Sequence, residues 1–273
     1  MNTRIDADSL IAALSPEAPE RCINALVALI ENPPVAIPDD AAEAITRCLS
    51  AESKTIRRRA ADALAAIARR DSRILATLRA ALHHADRQTR FGAAYALGAS
   101  GDGALTIDAA HPLYDALGDR DGDVRWAAAE LVVRLGRAHP VEIPAGLLAL
   151  VREGNPAARK MALYCIRDLG ACGSEVLDAA AIASHDDDTH VRLSALALLA
   201  ASFTTSAAAA ALALERLESD RDEGVRRAAA VALGNMRSVS AQVTDSLKRA
   251  AANVSDNSLA RAARAALDRI ARN

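Results

Sequence analysis

The chain has 273 residues, of which 51% are hydrophobic, 25% charged and only 2% aromatic, and its net charge is −2. So many apolar residues exclude global disorder, and the near-neutral total gives no general attraction to nucleic acid or anionic lipid. Alanine fills 67 positions, so the core must close through Ala, Leu and Val at short range, which favours packed helices over sheets.

Along the chain one pattern recurs. A weak copy begins at Arg21. Clear copies follow at Ile56-Arg57 with Ala60, Ala63 and Leu64, at Thr89-Arg90 with Ala93, Ala96 and Leu97, and at Val124-Arg125 with Ala128, Leu131 and Val132. Others start at Ala158-Arg159, Val191-Arg192 and Val225-Arg226, and a last weak one at Leu259. The starts at 21, 56, 89, 124, 158, 191, 225 and 259 are 33 to 35 residues apart. About eight units of that length fill residues 1–273 as a single domain, and a fixed period of this size is the mark of a repeat array. In each unit the apolar offsets 0, 4, 7, 8 and 11 share one helical face. Upstream stretches such as Ile74 to Leu82, Leu147 to Val151, Val176 to Ile182 and Val243 to Leu247 predict a first helix in each unit. Asp86, Asp119 to Asp123, Asn155, Asp186 to Asp188, Asp220, Asp222, Asp256 and Asn257 stand where they can cap the second helices. Gly98, Gly136, Gly170 and Gly234 stand where a left-handed C-terminal cap is expected.

The acidic turn, the Val-Arg start and the Ala-x-x-Ala-Leu-Gly run, clearest from Asp222-Glu223-Gly224-Val225-Arg226 through Gly234, resemble the HEAT-like repeats, including the short repeats of phycobilin lyases. Pro112 and Pro144 in the first helices agree with that usage, while Cys22 and Ala260 replace the Arg in the end copies. The resemblance implies an all-α, right-handed α-solenoid of helix-turn-helix repeats whose second helices line a concave surface that holds a macromolecule. It also implies that Arg57, Arg90, Arg125, Arg159, Arg192 and Arg226 each reach an Asp in a neighbouring turn.

Offsets 2 and 6 fall near about 200° and 240° on the helical wheel, opposite the core face. Phe91, Tyr95, Trp126 and Tyr164, four of the chain's six aromatic residues, occupy them, alongside Arg58, Asp62, Glu130, Lys160 and Arg227. An apolar patch rimmed by charge predicts a site for a protein partner on the concave face. Charge is blocked along the chain, net −5 over residues 1–50, +6 over 51–90, −7 over 171–224 and +6 over 225–273, which would orient such a partner. A chaperone, an assembly factor or a toxin-immunity protein of a bacterium agrees with this reading.

Catalytic signals are weak, and no catalytic residue, metal ligand or cofactor is expected. His185-Asp186-Asp187-Asp188-Thr189-His190 reads as a capping turn rather than a metal site. Asp119-Arg120-Asp121-Gly122-Asp123 begins like a calcium loop but lacks the remaining ligands. His83-His84 and Gly101-Asp102-Gly103 match no catalytic or phosphate-binding pattern. The enzyme alternatives are a bilin lyase, for which no pigment site is identified, and an alkylpurine DNA glycosylase using Trp126, Glu130 and Arg57 to Arg59. The −7 block argues against a continuous phosphate track. Cys22, Cys48, Cys165 and Cys172 form no C-x-x-C pair and read as reduced, mostly packed thiols. No apolar run spans a bilayer, and Met1 to Asp6 shows no signal segment, so a cytoplasmic protein without membrane attachment is expected.

Overall fold

In the computed structural model the described residues are 7–15, 17–101, 105–237, 240–253 and 256–272. Met1 to Asp6, Asp102 and Gly103, each singled out in the sequence, lie outside them. The described residues form sixteen α-helices and no strand: α1 (Ala7–Ala13), α2 (Pro19–Glu31), α3 (Asp39–Arg47), α4 (Lys54–Ala68), α5 (Arg73–Ala81), α6 (Arg87–Ala99), α7 (Ala110–Leu117), α8 (Gly122–Ala138), α9 (Glu142–Glu153), α10 (Pro156–Asp168), α11 (Ser174–Ser184), α12 (Thr189–Ser202), α13 (Ala207–Ser219), α14 (Glu223–Asn235), α15 (Ala241–Ala251) and α16 (Asn257–Ile270). Two 3-10 turns, Cys48–Ser50 and Ile107–Ala109, flank α3 and α7.

Every even-numbered helix starts two residues before a predicted register position. The reason is the cap. Asp86, Asn155, Asp188, Asp222 and Asp256 accept hydrogen bonds of 2.8 to 3.1 Å from first-turn N–H groups of α6, α10, α12, α14 and α16. The register residue is the one whose N–H each cap receives, so capping and core burial are set at one position. In α2 the inward residues are Cys22, Leu26 and Leu29. The core register there begins one residue later than Arg21 predicts, and Cys22 fills the first core position rather than the Arg position.

The helices divide into two compact units, Met1–Leu135 and Gly136–Asn273. In the first unit α2, α4 and α6 pack in succession, with α3 and α5 against α4 and α6. In the second, α10, α12, α14 and α16 form one layer and α9, α11, α13 and α15 the other. The cores are small-residue cores: on α4, Ile56, Ala60, Ala63, Leu64 and Ile67 are buried, and on α14, Val225, Ala229, Ala232 and Leu233.

Of the four predicted cap glycines, Gly170 alone has a left-handed backbone (φ 66°). Gly98, Gly136 and Gly234 lie inside helices α6, α8 and α14. Their role is close approach. A Cβ on Gly234 would stand 2.7 Å from Cα of Ala266 on α16, and one on Gly136 would stand 2.8 Å from the Leu169 side chain. Three of the four thiols are buried, and Cys172 is exposed. Burial pushes Cys48 and Cys165 up to about 12, so both stay protonated and inert.

The repeated Arg divides into two groups. Arg90, Arg159 and Arg192 each reach a carboxylate in the next turn. Arg159 donates to Asp186 at 2.7 and 2.8 Å, Arg192 to Asp220 at 2.9 and 3.0 Å, and Arg90 Nη2 to Asp119 at 3.0 Å. In all three turns this Asp also accepts the N–H two residues on, from Asp121, Asp188 or Asp222, which is itself the cap of the following helix. Arg57, Arg125 and Arg226 depart from the expectation and donate to carbonyls of their own preceding turns, Ala51 and Glu52, Asp119, and Asp220. For Arg57 the cause is legible, since the position corresponding to Asp119 one repeat earlier is His84, whose Nδ1 accepts the Asp86 N–H but offers no carboxylate.

Burial would raise the pKa of Asp220. The Arg192 hydrogen bonds, the Asp222 N–H and the charges of Arg192 and Arg216 outweigh that and hold it below 3.8. Arg192→Ala removes the hydrogen-bonded guanidinium from a buried carboxylate and leaves it only Arg216, 3.7 Å away, so it is expected to cost about 3–5 kcal/mol in urea unfolding; Arg57→Ala, which loses bonds to carbonyls, is expected to cost about 1–2 kcal/mol. A depressed folded-state pKa means the stabilisation is full above the unfolded value of 3.8 and lost as pH falls through the folded value. Unfolding measured between pH 5 and pH 2 should therefore show a steeper acid loss for wild type than for Asp220→Asn.

Candidate functional site

With their core residues turned towards neighbouring helices, the even-numbered helices present offsets 2 and 6 to solvent. In the first unit this face holds Phe91 and Tyr95 on α6, each 39% exposed, and Trp126 on α8, 57% exposed. α6 and α8 are adjacent, because Arg134 Nη1 donates to the Gly98 carbonyl at 3.0 Å. The Tyr95 hydroxyl donates to Asp62 Oδ1 on α4 at 3.3 Å, and Arg59 stands 3.9 Å from the same carboxylate. Asp62 is half-buried, whereas Arg58 and Glu130 are exposed. The sequence-predicted residues of this unit therefore lie on one outward face across α4, α6 and α8. The rings supply area, and a tethered Asp and free-standing charges supply the rim.

In the second unit Tyr164 is half-buried, less open than its offset predicts. The Arg167 guanidinium lies 5.0 Å from its ring centroid, a cation–π contact that covers the ring. Lys160 on the same helix is half-buried, and Arg227 on α14 is exposed. Absent from the sequence-based site is a groove of about 730 Å³ along α12, α14 and α16, with Leu193, Ala197 and Val231 in its lining. The signal was present, for these three stand at offsets 2 and 6 of their units. They are aliphatic, and weighing aromatic residues alone passed over them.

The acidic turns are occupied by structural work. Asp186 holds Arg159 and Asp188 caps α12. His185 Nε2 lies 3.0 Å from Glu215 Oε1; burial would raise Glu215, but His185 and Arg216 hold its carboxyl below the usual value. In the Asp119–Asp123 turn, Asp119 holds Arg90, and Asp121 caps α8 and pairs with Arg87 at 3.1 Å. Among the described residues no group of three or more His, Cys, Asp or Glu side chains could hold a metal ion. Nor is any helix of those residues long and apolar enough to cross a membrane.

With this geometry in view, comparison with known proteins bears on the family resemblance. The family model for HEAT repeats matches residues 41–133. Among solved structures, importin β is 15% identical over 97% of this chain and 40% of its own length, with a TM-score of 0.62. YibA of Escherichia coli is 16% identical over 98% of this chain and 93% of its own, with a TM-score of 0.56. A chain of the structure describing Kap95p binding to RanGDP is 16% identical over 97% of this chain and 41% of its own, with a TM-score of 0.55. At these identities the likeness shows a shared fold, the all-helical HEAT-type solenoid. No curated protein matches the sequence.

The exposure of Trp126 carries a stability consequence. Trp126→Ala is expected to cost less than about 1 kcal/mol in chemical unfolding, whereas truncating a core aromatic costs roughly 3–5 kcal/mol.

Proposed function

We propose that this protein is a non-enzymatic scaffold that binds a protein partner through the outward face of its even-numbered helices, the face that the HEAT resemblance makes concave. The observation that carries this reading is the exposure of Phe91, Tyr95 and Trp126 on the adjacent helices α6 and α8 of a chain that has six aromatic residues in all. A chain that keeps half of its aromatic residues out of a core made of Ala and Leu holds them where a partner can cover them. Large rigid rings give contact area at small entropic cost and dominate interface energies. The Asp62, Arg58 and Glu130 rim supplies orientation and on-rate more than affinity. Support from the fold is of the same kind, since Kap95p, which has this architecture, binds RanGDP.

The test is affinity capture from lysate of the source cell with wild-type and Tyr95→Ala/Trp126→Ala baits whose thermal melting has been matched. A protein retained by wild type and lost from the variant is expected, and its affinity should fall by at least about 2 kcal/mol, roughly thirtyfold in Kd. Equal melting with identical captured sets overturns the assignment of this face.

A further inference from the structure

The second unit carries a surface of different chemistry. The groove along α12, α14 and α16 has a floor of Leu193, Ala197, Ala200, Ala228 and Val231, and Val231 is 40% exposed. At Asn235 it meets a hollow of about 380 Å³ lined by Gly234, Asn235, Arg237, Arg269 and Arg272, at the C-terminal ends of α14 and α16. Among the described residues no Asp or Glu lines either one.

The arginines there are only partly engaged. Arg269 Nη1 donates to Asn235 Oδ1 at 3.2 Å, and Arg272 Nε donates to the Asp268 carbonyl at 2.9 Å. The side chains of Arg227 and Arg237 have no hydrogen-bond or ion-pair partner among the described residues. Arg167, also in the groove lining, is held by Asp168 at 2.8 Å. One cation at a helix C-terminus offsets the helix dipole. Three guanidinium groups lining one hollow go past that need and repel one another, and an anion seated among them removes the repulsion. Arg227 and Asn235 are eight residues apart on α14, about 12 Å along its axis. The surface is thus an apolar strip with cationic groups at both ends.

We infer that this groove binds an acidic, apolar peptide segment of a protein partner. Its Leu, Ile or Phe side chains lie on the Leu193–Val231 floor. Its carboxylates, spaced about two helical turns apart, meet Arg227 at one end and Arg237, Arg269 and Arg272 at the other. This rests on the reading of the chain as a protein-binding scaffold but uses none of the aromatic residues, so the two sites fail separately.

The experiment is panning of a random phage-displayed 16-residue peptide library against the full chain. The baits are wild type, the groove variants Arg227→Glu/Val231→Asp and Arg269→Glu/Arg272→Glu, and the aromatic variant Tyr95→Ala/Trp126→Ala, each checked by thermal melting. The expected result is enrichment of Asp- and Glu-rich peptides with Leu, Ile or Phe on wild type and on the aromatic variant. Their Kd should rise at least tenfold on either folded groove variant. Enrichment of neutral or basic peptides, no enrichment, or equal enrichment on both groove variants overturns the inference. So does a 20-nucleotide single-stranded DNA that binds the wild-type chain more tightly than the selected peptides, which would assign the arginines to nucleic acid. Loss of peptide binding on the aromatic variant alone also overturns it and moves the peptide site to the first unit.

Discussion

Repeat follows repeat here through a turn in which two carboxylates do different work. In Asp119-Arg120-Asp121, Asp186-Asp187-Asp188 and Asp220-Arg221-Asp222 the second Asp caps the helix that follows, and the first holds the guanidinium of the repeat before. The first Asp also accepts the N–H of the second, so the capping geometry and the ion pair constrain one another. The middle residue contributes as well, since Arg120 donates to the Ala85 carbonyl and Arg221 to the Asp187 carbonyl, each one turn back. The same two carbonyls also accept from Arg90 and Arg192 of their own repeats, so each is shared by two successive repeats. At these three turns the junction between repeats is held by polar contacts as well as by apolar packing.

The apolar side of the same constraint is closeness. A core of Ala and Leu has little volume to fill a gap, so successive helices must come near enough for alanine methyl groups to touch. Gly234 against Ala266 and Gly136 against Leu169 mark where even a methyl group would be too large. The largest fully buried side chains are Leu and Ile, and none of the six aromatic residues is fully buried.

That surface differs between the two units. The first presents aromatic rings on α6 and α8 with a mixed-charge rim. The second presents small aliphatic residues along α12 and α14 that end among arginines. One repeating scaffold therefore carries two chemistries at equivalent offsets, because none of the described side chains at offsets 2 and 6 belongs to the fully buried core and their identity can vary.

Much of this was legible in the sequence. The period, the helix starts and the outward placement of Phe91, Tyr95 and Trp126 follow from local rules, since capping and helical periodicity act within a few residues. Three things waited for tertiary structure. The glycines at 98, 136 and 234 look like helix caps along the chain but are points of close approach between helices some 33 residues apart in sequence. Half of the repeated arginines turn to their own carbonyls, which depends on what the next turn offers. Tyr164 shares its offset with Tyr95 yet lies half-covered beneath Arg167. Sequence by itself determined which residues repeat and which way they face, because those are properties of one helix; tertiary structure alone decided what each meets, because contact partners lie a full repeat away and their positions depend on how closely small-residue helices can approach.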